Sequence, residues 1–277
     1  MARPRVRRSA AAVLGALAGL AFAVPLLWAV TSSLRENEAM FRYISEPSWR
    51  TLLPSDVTLA NYAALVTGDF GRAILNSIVV ALATVVLGLV ISAAAAFGLA
   101  AVRFRGQGVL FGLVVLSFLI PFDAIAIPLA TLFRDWSLQN TYAGLILPGL
   151  GHGLAIFLLR QFFLAIPAEL VEAARIDGLG WFGVFARIYL PLSRPALVGA
   201  GMTLFIFQWQ AYVWPLLIGT DTAHQLGPIA LANMRGQFTI DYGQLFAGSV
   251  VLTVIPLIVI MRYQRHFTQS ISTTGLK

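Results

Sequence analysis

The chain has 277 residues, of which 58% are hydrophobic and 11% charged, with a formal charge of +7 and a mean hydropathy of +0.82. Soluble domains carry about 25% charged residues, so the composition excludes an ordinary soluble enzyme and points to a polytopic helical membrane protein. The absence of Cys excludes disulfides, thiolate metal sites and cysteine nucleophiles. The basic residues sit in short patches at the ends of apolar runs, which argues for the lipid bilayer and against nucleic acid as the partner.

A bilayer core of about 30 Å takes about 20 helical residues. Six stretches qualify, in chain order roughly Ala10–Val30, Ala73–Ala101, Val109–Phe133, Ala143–Leu164, Ala196–Gly219 and Leu245–Met261. Arg3, Arg5, Arg7 and Arg8 before the first, with Ala21-Phe22-Ala23 inside it, resemble a secretory signal. That run is too long for a signal core and five more follow it, so it is read as a retained helix. Residues 31–72, with Pro47, Trp49, Pro54 and Asn61-Tyr62, form the longest loop on one side. Short amphipathic helices are expected there, on the outer surface.

The third stretch carries Asp123, the only acid predicted within a span, about 20 Å of helix beyond Val109. It lies between Pro121 and Pro128, where a kink is predicted. The fifth carries Gln208, Trp209 and Gln210 near its middle. An acid, two amides and an aromatic ring suit a hydrated, hydroxyl-bearing solute, so these four are candidates for a translocation path. The competing role is hydrogen bonding between helices. Asn76 reads as a helix-end or packing group. His152, His224 and His266 are isolated, and no H-E-x-x-H or G-x-S-x-G is present; neither catalysis nor a metal site is expected.

Orientation follows from the basic residues. With the N-terminus in the cytoplasm, the inner segments hold Arg3, Arg5, Arg7, Arg8, Arg103, Arg105, Arg160, Arg175, Arg187, Arg194, Arg262, Arg265 and Lys277. The outer segments hold Arg35, Arg42, Arg50, Arg72, Arg134 and Arg235. The balance predicts both termini and the loop 168–195 on the cytoplasmic side.

That loop is charged and marked by Gly and Pro in an otherwise apolar chain. Pro167 can open a helix, Glu169 and Glu172 suit its N-terminal dipole, and Gly178 and Gly180 end it. A second helix follows, with Trp181, Phe182, Val184, Phe185, Ile188 and Tyr189 at helical spacing, stopped by Pro191. Ala173 and Ala174 keep one face small, so that another protein can approach closely.

Glu172-Ala173-Ala174, then Gly178, then Ile188-Tyr189-Leu190-Pro191 resemble the "EAA" loop of membrane subunits of binding-protein-dependent ABC importers. Asp177 and Pro195 fit the carbohydrate-uptake, maltose-type branch, and its smaller six-span subunit. Asn76-Ser77, Phe104-Arg105-Gly106, Ile120-Pro121-Phe122 and Asn140-Thr141-Tyr142-Ala143-Gly144 extend the resemblance over nearly the whole chain. The tail Gly275-Leu276-Lys277 departs from the family's usual Gly-rich ending.

The resemblance implies an all-α polytopic fold of six transmembrane helices, the type I ABC importer permease fold. It implies one permease domain over 1–277: an importer core over about 73–262, a coupling loop at 168–195 and an extracytoplasmic loop at 31–72. It assigns ATPase coupling to Glu172, Ala173, Ala174, Asp177, Gly178, Ile188, Leu190 and Pro191. The implied partners are a second homologous permease subunit, two ATP-binding subunits and an extracytoplasmic solute-binding protein or lipoprotein, in the plasma (inner) membrane of a prokaryote. No cofactor is expected on this chain, with ATP and Mg held by the partner ATPases. A P-loop requires G-x-x-x-x-G-K-[ST], and the sole lysine here is the last residue, so the chain is read as non-catalytic. The alternative is a secondary transporter working without an ATPase. It favours inverted repeats with broken helices in both halves, and the only echo of the broken third stretch is Pro256 in the sixth.

Overall fold

A computed structural model describes residues 3–37, 53, 57–234 and 241–274, with side chains described within 13–264 of these. Pro47, Trp49, Pro54, Arg42, Arg50, Arg235 and the tail Gly275-Leu276-Lys277 lie outside the described residues, as do the side chains of Arg3–Arg8, Arg265 and His266. The described residues are helical, without strands. Three helices are long and apolar enough to cross a bilayer unbroken: α1 (Arg3–Ser33), α3 (Asp69–Ala101) and α13 (Tyr242–Thr274). Between α1 and α3 lies the short α2 (Ala60–Thr67), the one stretch of the 31–72 loop where the expected helix is described.

The third and fourth predicted spans are bent pairs; a further bent pair joins residues 181–192 of the predicted loop to 194–209, and up to six spans result if each pair counts as one. α4 (Gln107–Leu119) and α5 (Phe122–Asp135) meet at 97°. The break is therefore a right-angle turn and not the predicted kink. Pro121 cannot donate to the preceding turn and holds Ile120 extended at ψ 122. α6 (Tyr142–Leu150) and α7 (Gly153–Leu164) bend by 41° at Gly151-His152. Beyond α8 (Ala168–Ile176), α9 (Trp181–Leu192) and α10 (Arg194–Trp209) meet at 82°. The fifth stretch also ends earlier than predicted. α10 stops at Trp209, and a separate α11 (Val213–Ile218) contains Pro215, whose missing N–H cannot bond Ala211 in a continuous helix. α12 (Gly227–Asn233) precedes α13.

The chain divides into two compact units. In the first (1–72 and 230–254), Asn61 Nδ2 donates to the carbonyls of Ser33 and Arg35 at 2.9 and 2.8 Å, closing the end of α1. Tyr62 Oη lies 2.7 Å from Ser33 Oγ. Gly243 is required there, since a Cβ would come within 2.7 Å of Asn61 Nδ2.

The second unit (73–229 and 255–277) holds two apolar cores. One joins the C-terminal end of α3 (Ala93, Ala96, Phe97) to Ala155, Leu159 and Phe163 of α7, to Ala174, Val184 and Tyr189 of the 168–195 loop, and to Ala196, Ala200 and Leu204 of α10. The other joins Val80 of α3, Ala130 and Phe133 of α5, Leu145 of α6, and Trp214 and Ile218 of α11. The alanines are significant. Lipid offers apolar side chains no gain from mutual burial, so small residues that let backbones approach supply the packing. Large apolar residues such as Val79, Leu82, Val86 and Val90 stay exposed on α3, where lipid or partner helices cover them.

Proline also creates a tie between elements. Pro148 in α6 cannot bond the Gly144 carbonyl four residues back. Trp214 Nε1 donates to that carbonyl at 3.0 Å, fastening α11 to α6. Gly144 lets α11 come close, since a Cβ would lie 3.0 Å from Ile218 Cγ2, and it would also overlap the Leu138 carbonyl oxygen.

Candidate functional site: a helix–turn–helix with an apolar outer face

α8 has the boundaries the sequence predicts, starting after Pro167 and carrying Glu169 in its first turn. Its end is a Schellman turn: Gly178 N–H donates to Arg175 O at 3.1 Å, and Leu179 N–H to Ala174 O at 3.0 Å. Gly178 has φ +86 and open space where a Cβ would stand. The glycine is thus required by backbone conformation and not by crowding. Leu179 packs into the same core as Ala174, the apolar contact that accompanies this turn.

α9 is anchored by rings. Phe97 of α3 contacts Trp181, Phe185 and Tyr189 with centroids at 6.2, 5.0 and 4.9 Å, and Tyr189 contacts Phe163 of α7 at 5.2 Å. The Arg175 guanidinium lies 4.4 Å over the Trp181 ring, tying α8 to α9. Contrary to expectation, Pro191 does not stop α9. The turn Phe185–Tyr189 widens to π geometry, with Leu190 N–H donating to Phe185 O, and the helix runs on to Leu192. A wide turn displaces the carbonyls that a proline ring would strike. The chain then swings into α10, which Pro195 opens.

The helices that lead up to the loop, α4 and α7, are tied to the end of α3. Leu99 O accepts from Arg160 Nε at 2.9 Å and from Gln107 Nε2 at 2.7 Å, and the Arg160 guanidinium lies 3.9 Å over the Phe111 ring. A cation at a helix C-terminus is favourable in itself.

The coupling candidates divide in two. Glu172, Ala173, Asp177, Gly178 and Pro191 are exposed. Ala174 is 9% exposed and packs against the chain's own core, so the expectation that both alanines form an outward small face is corrected to Ala173 alone. Ile188 and Leu190 are half-buried against that core. Two residues not singled out as coupling candidates dominate the outer surface: Ile176 at 86% and Phe182 at 81% exposure. The signal in the sequence is an isoleucine between Arg175 and Asp177 on an otherwise polar helix face.

The path candidates differ in exposure. Asp123 is exposed in the first turn of α5, just past the right-angle break. Trp209 is buried, its ring stacked 5.6 Å from Phe205. Gln210 is exposed, and Gln208 is half-buried with Nε2 unpartnered. Asn76, read as a helix-end or packing group, fastens a loop: its Nδ2 donates to Ala223 O and Gln225 O, and its Oδ1 accepts from Tyr142 Oη.

Residues 88–273 match the family described as binding-protein-dependent transport system inner membrane component. The chain belongs to that family. The arabinooligosaccharides transport system permease protein AraQ of Halalkalibacterium halodurans is 33% identical over 91% of this chain and 90% of its own. The trehalose transport system permease protein SugB of Mycobacterium tuberculosis is 32% identical over 92% of each chain. The sn-glycerol-3-phosphate transport system permease protein UgpE of Agrobacterium fabrum is 34% identical over 88% of each. Among solved structures, a bacterial ABC transporter involved in the import of the acidic polysaccharide alginate superposes with a TM-score of 0.83 over 96% of this chain and 98% of that one. At 22% identity that likeness concerns the fold. The chain is a transmembrane permease subunit with the importer permease fold, and the α8–turn–α9 loop falls inside the matched region.

Proposed function

We propose that this permease pairs with a second homologous permease subunit to import a sugar or sugar-like solute, driven by two ATP-binding subunits that grip the α8–turn–α9 loop. ATP and Mg are held by those partners, and the chain itself performs no catalysis. A solute-binding protein or lipoprotein delivers the solute from outside. The membrane is the plasma membrane of a prokaryote, with both termini cytoplasmic.

The observation that carries this reading is the construction of the loop. Glu172, Ile176, Asp177 and Phe182 are exposed, while Ala174, Val184 and Tyr189 lock the same two helices into the core shared by α3, α7 and α10. A force applied to the outer face is thereby transmitted to three membrane helices by packed side chains. The carbohydrate class rests on relatives named for arabinooligosaccharides and trehalose. Asp123, Gln208, Trp209 and Gln210 remain the residues proposed for the path.

The test is purification with neighbouring gene products and reconstitution in vesicles. ATP-dependent solute uptake is expected, lost on substitution of Glu172 and Gly178 together while the permease pair persists. Uptake driven by an ion gradient without ATP would sink the proposal.

A further inference from the structure

The second unit contains a polar seam between its two apolar cores. Along α3, Val80 belongs to one core and Ala93 to the other, with Thr84 between them. Along the fourth span, Leu145 and Ala155 flank the break at Gly151-His152. Along the fifth, Leu204 and Trp214 flank Gln208. Thr84 is 1% exposed, and its Oγ1 has no hydrogen-bond partner within the chain. The same holds for Gln208 Nε2 and His152 Nδ1.

Thr84 and Gln208 meet at Gly149, with His152 three residues further along the chain. A Cβ on Gly149 would lie 2.6 Å from Thr84 Cγ2, 3.7 Å from Thr84 Oγ1 and 3.1 Å from Gln208 Oε1. The His152 ring lies 4.8 Å from that of Phe207, the residue before Gln208. The helix break adds further polar groups, because the end of α6 leaves carbonyls, and the start of α7 leaves N–H groups, outside the helical ladder. Irregular backbone at membrane depth persists only where protein or water satisfies it. A buried water takes two to four polar partners, and hydroxyl, amide and open carbonyls supply that number.

We infer that the break in the fourth span is a hydrated joint, with water held by Thr84, Gln208 and the open end of α6. The joint lets the two halves of the span shift against α3 and α10 by exchanging water-mediated bonds, where repacking an apolar core would cost more. Gln208 thereby acts on the joint, besides any part it takes in the path. This goes beyond the import reading and does not depend on which solute is carried.

The test is amide hydrogen exchange in D2O on the complex purified in nanodiscs. Amides at 151–154 should exchange at least tenfold faster than those of α7 further along, although all lie at membrane depth. Thr84→Val with Gln208→Leu, near-isosteric and apolar, should slow exchange at 151–154 about tenfold, while Thr84→Ser keeps it fast. If the double variant does not assemble, Thr84→Val alone reads the same quantity. Protection at 151–154 equal to that of α7 in the unmodified complex overturns the proposal. So does exchange that stays equally fast in Thr84→Val.

Discussion

The two ends of the second unit are fastened in opposite ways. At one end the segment 219–227 is held by polar side chains bonded to its backbone. Asn140 Oδ1 accepts from Thr220 N–H, Thr220 Oγ1 and Asp221 N–H; Asn76 donates to two of its carbonyls; Ser77 Oγ accepts from Gly227 N–H. At the other end α8 and α9 are held by rings and alanines, and two large apolar side chains point outward. A segment whose backbone is satisfied by its own chain is finished within it. A helix pair that exposes side chains as large and apolar as Ile176 and Phe182 has the surface of a docking face. On the proposed function, the second end is the one where energy enters.

The largest expected effect is at the aromatic anchor. Phe97→Ala removes the ring that Trp181, Phe185 and Tyr189 share, and truncating a buried phenylalanine costs about 3–5 kcal/mol. Unfolding of the purified permease pair in denaturant should show that loss, with uptake falling more than ATP hydrolysis. If uptake and hydrolysis fall together, the rings stabilise the fold without carrying movement. At the polar end, Asn76→Ala removes three hydrogen bonds, to two carbonyls and from the Tyr142 hydroxyl, and each is worth about 0.5–1.5 kcal/mol. Hydrolysis should stay coupled to transport in that variant. A loss of coupling as large as that in Phe97→Ala would erase the difference between the ends.

Gly178→Ala comes next. Its φ of +86 suits glycine, and a side chain there costs about 1–2 kcal/mol. No atom stands in the way of the new methyl group. Gly178→Asn should therefore recover much of the loss, because asparagine tolerates the left-handed region. Melting temperatures of the three chains check this, and no recovery by asparagine would mean that a partner occupies the space.

What was legible in the sequence was local. Pro167, Glu169 and Gly178 act on their own turns, and they fixed α8 to the residue. The spans were legible because a run of apolar residues is itself the physical requirement for crossing lipid. The direction in which Ala174 faces was not legible, since a helix of nine residues with two adjacent alanines offers two faces. Pro191 misled because the cost of a helical proline depends on the preceding turn, and a π turn removes the clash. Pro121 and Pro215 mark the breaks after α4 and α10, but the angle at which the chain continues and what it then packs against do not follow from the local sequence. Trp214 reaching the carbonyl freed by Pro148 is one such contact, spanning 70 positions between donor and acceptor. The polar candidates suffered most, because composition shows that a glutamine lies in a span without showing whether it meets cargo, a helix or water.

The smallest effect on stability should accompany the largest effect on assembly. Ile176 and Phe182 project from the loop, so Ile176→Ser and Phe182→Ser should change the stability of the permease pair by less than about 0.5 kcal/mol. An apolar anchor that fills a pocket on a partner can cost 2 kcal/mol or more of binding when truncated. Affinity for the ATP-binding subunits, measured by retention on the immobilised permease, should thus fall at least about thirtyfold for Phe182→Ser with the melting temperature unchanged. Glu172→Gln should cost less, since an exposed charge at a rim changes association rate and salt dependence more than affinity. If Glu172→Gln instead abolishes retention while Phe182→Ser is silent, the grip is electrostatic. The contrast between the two ends would then lie in charge and not in exposed apolar surface.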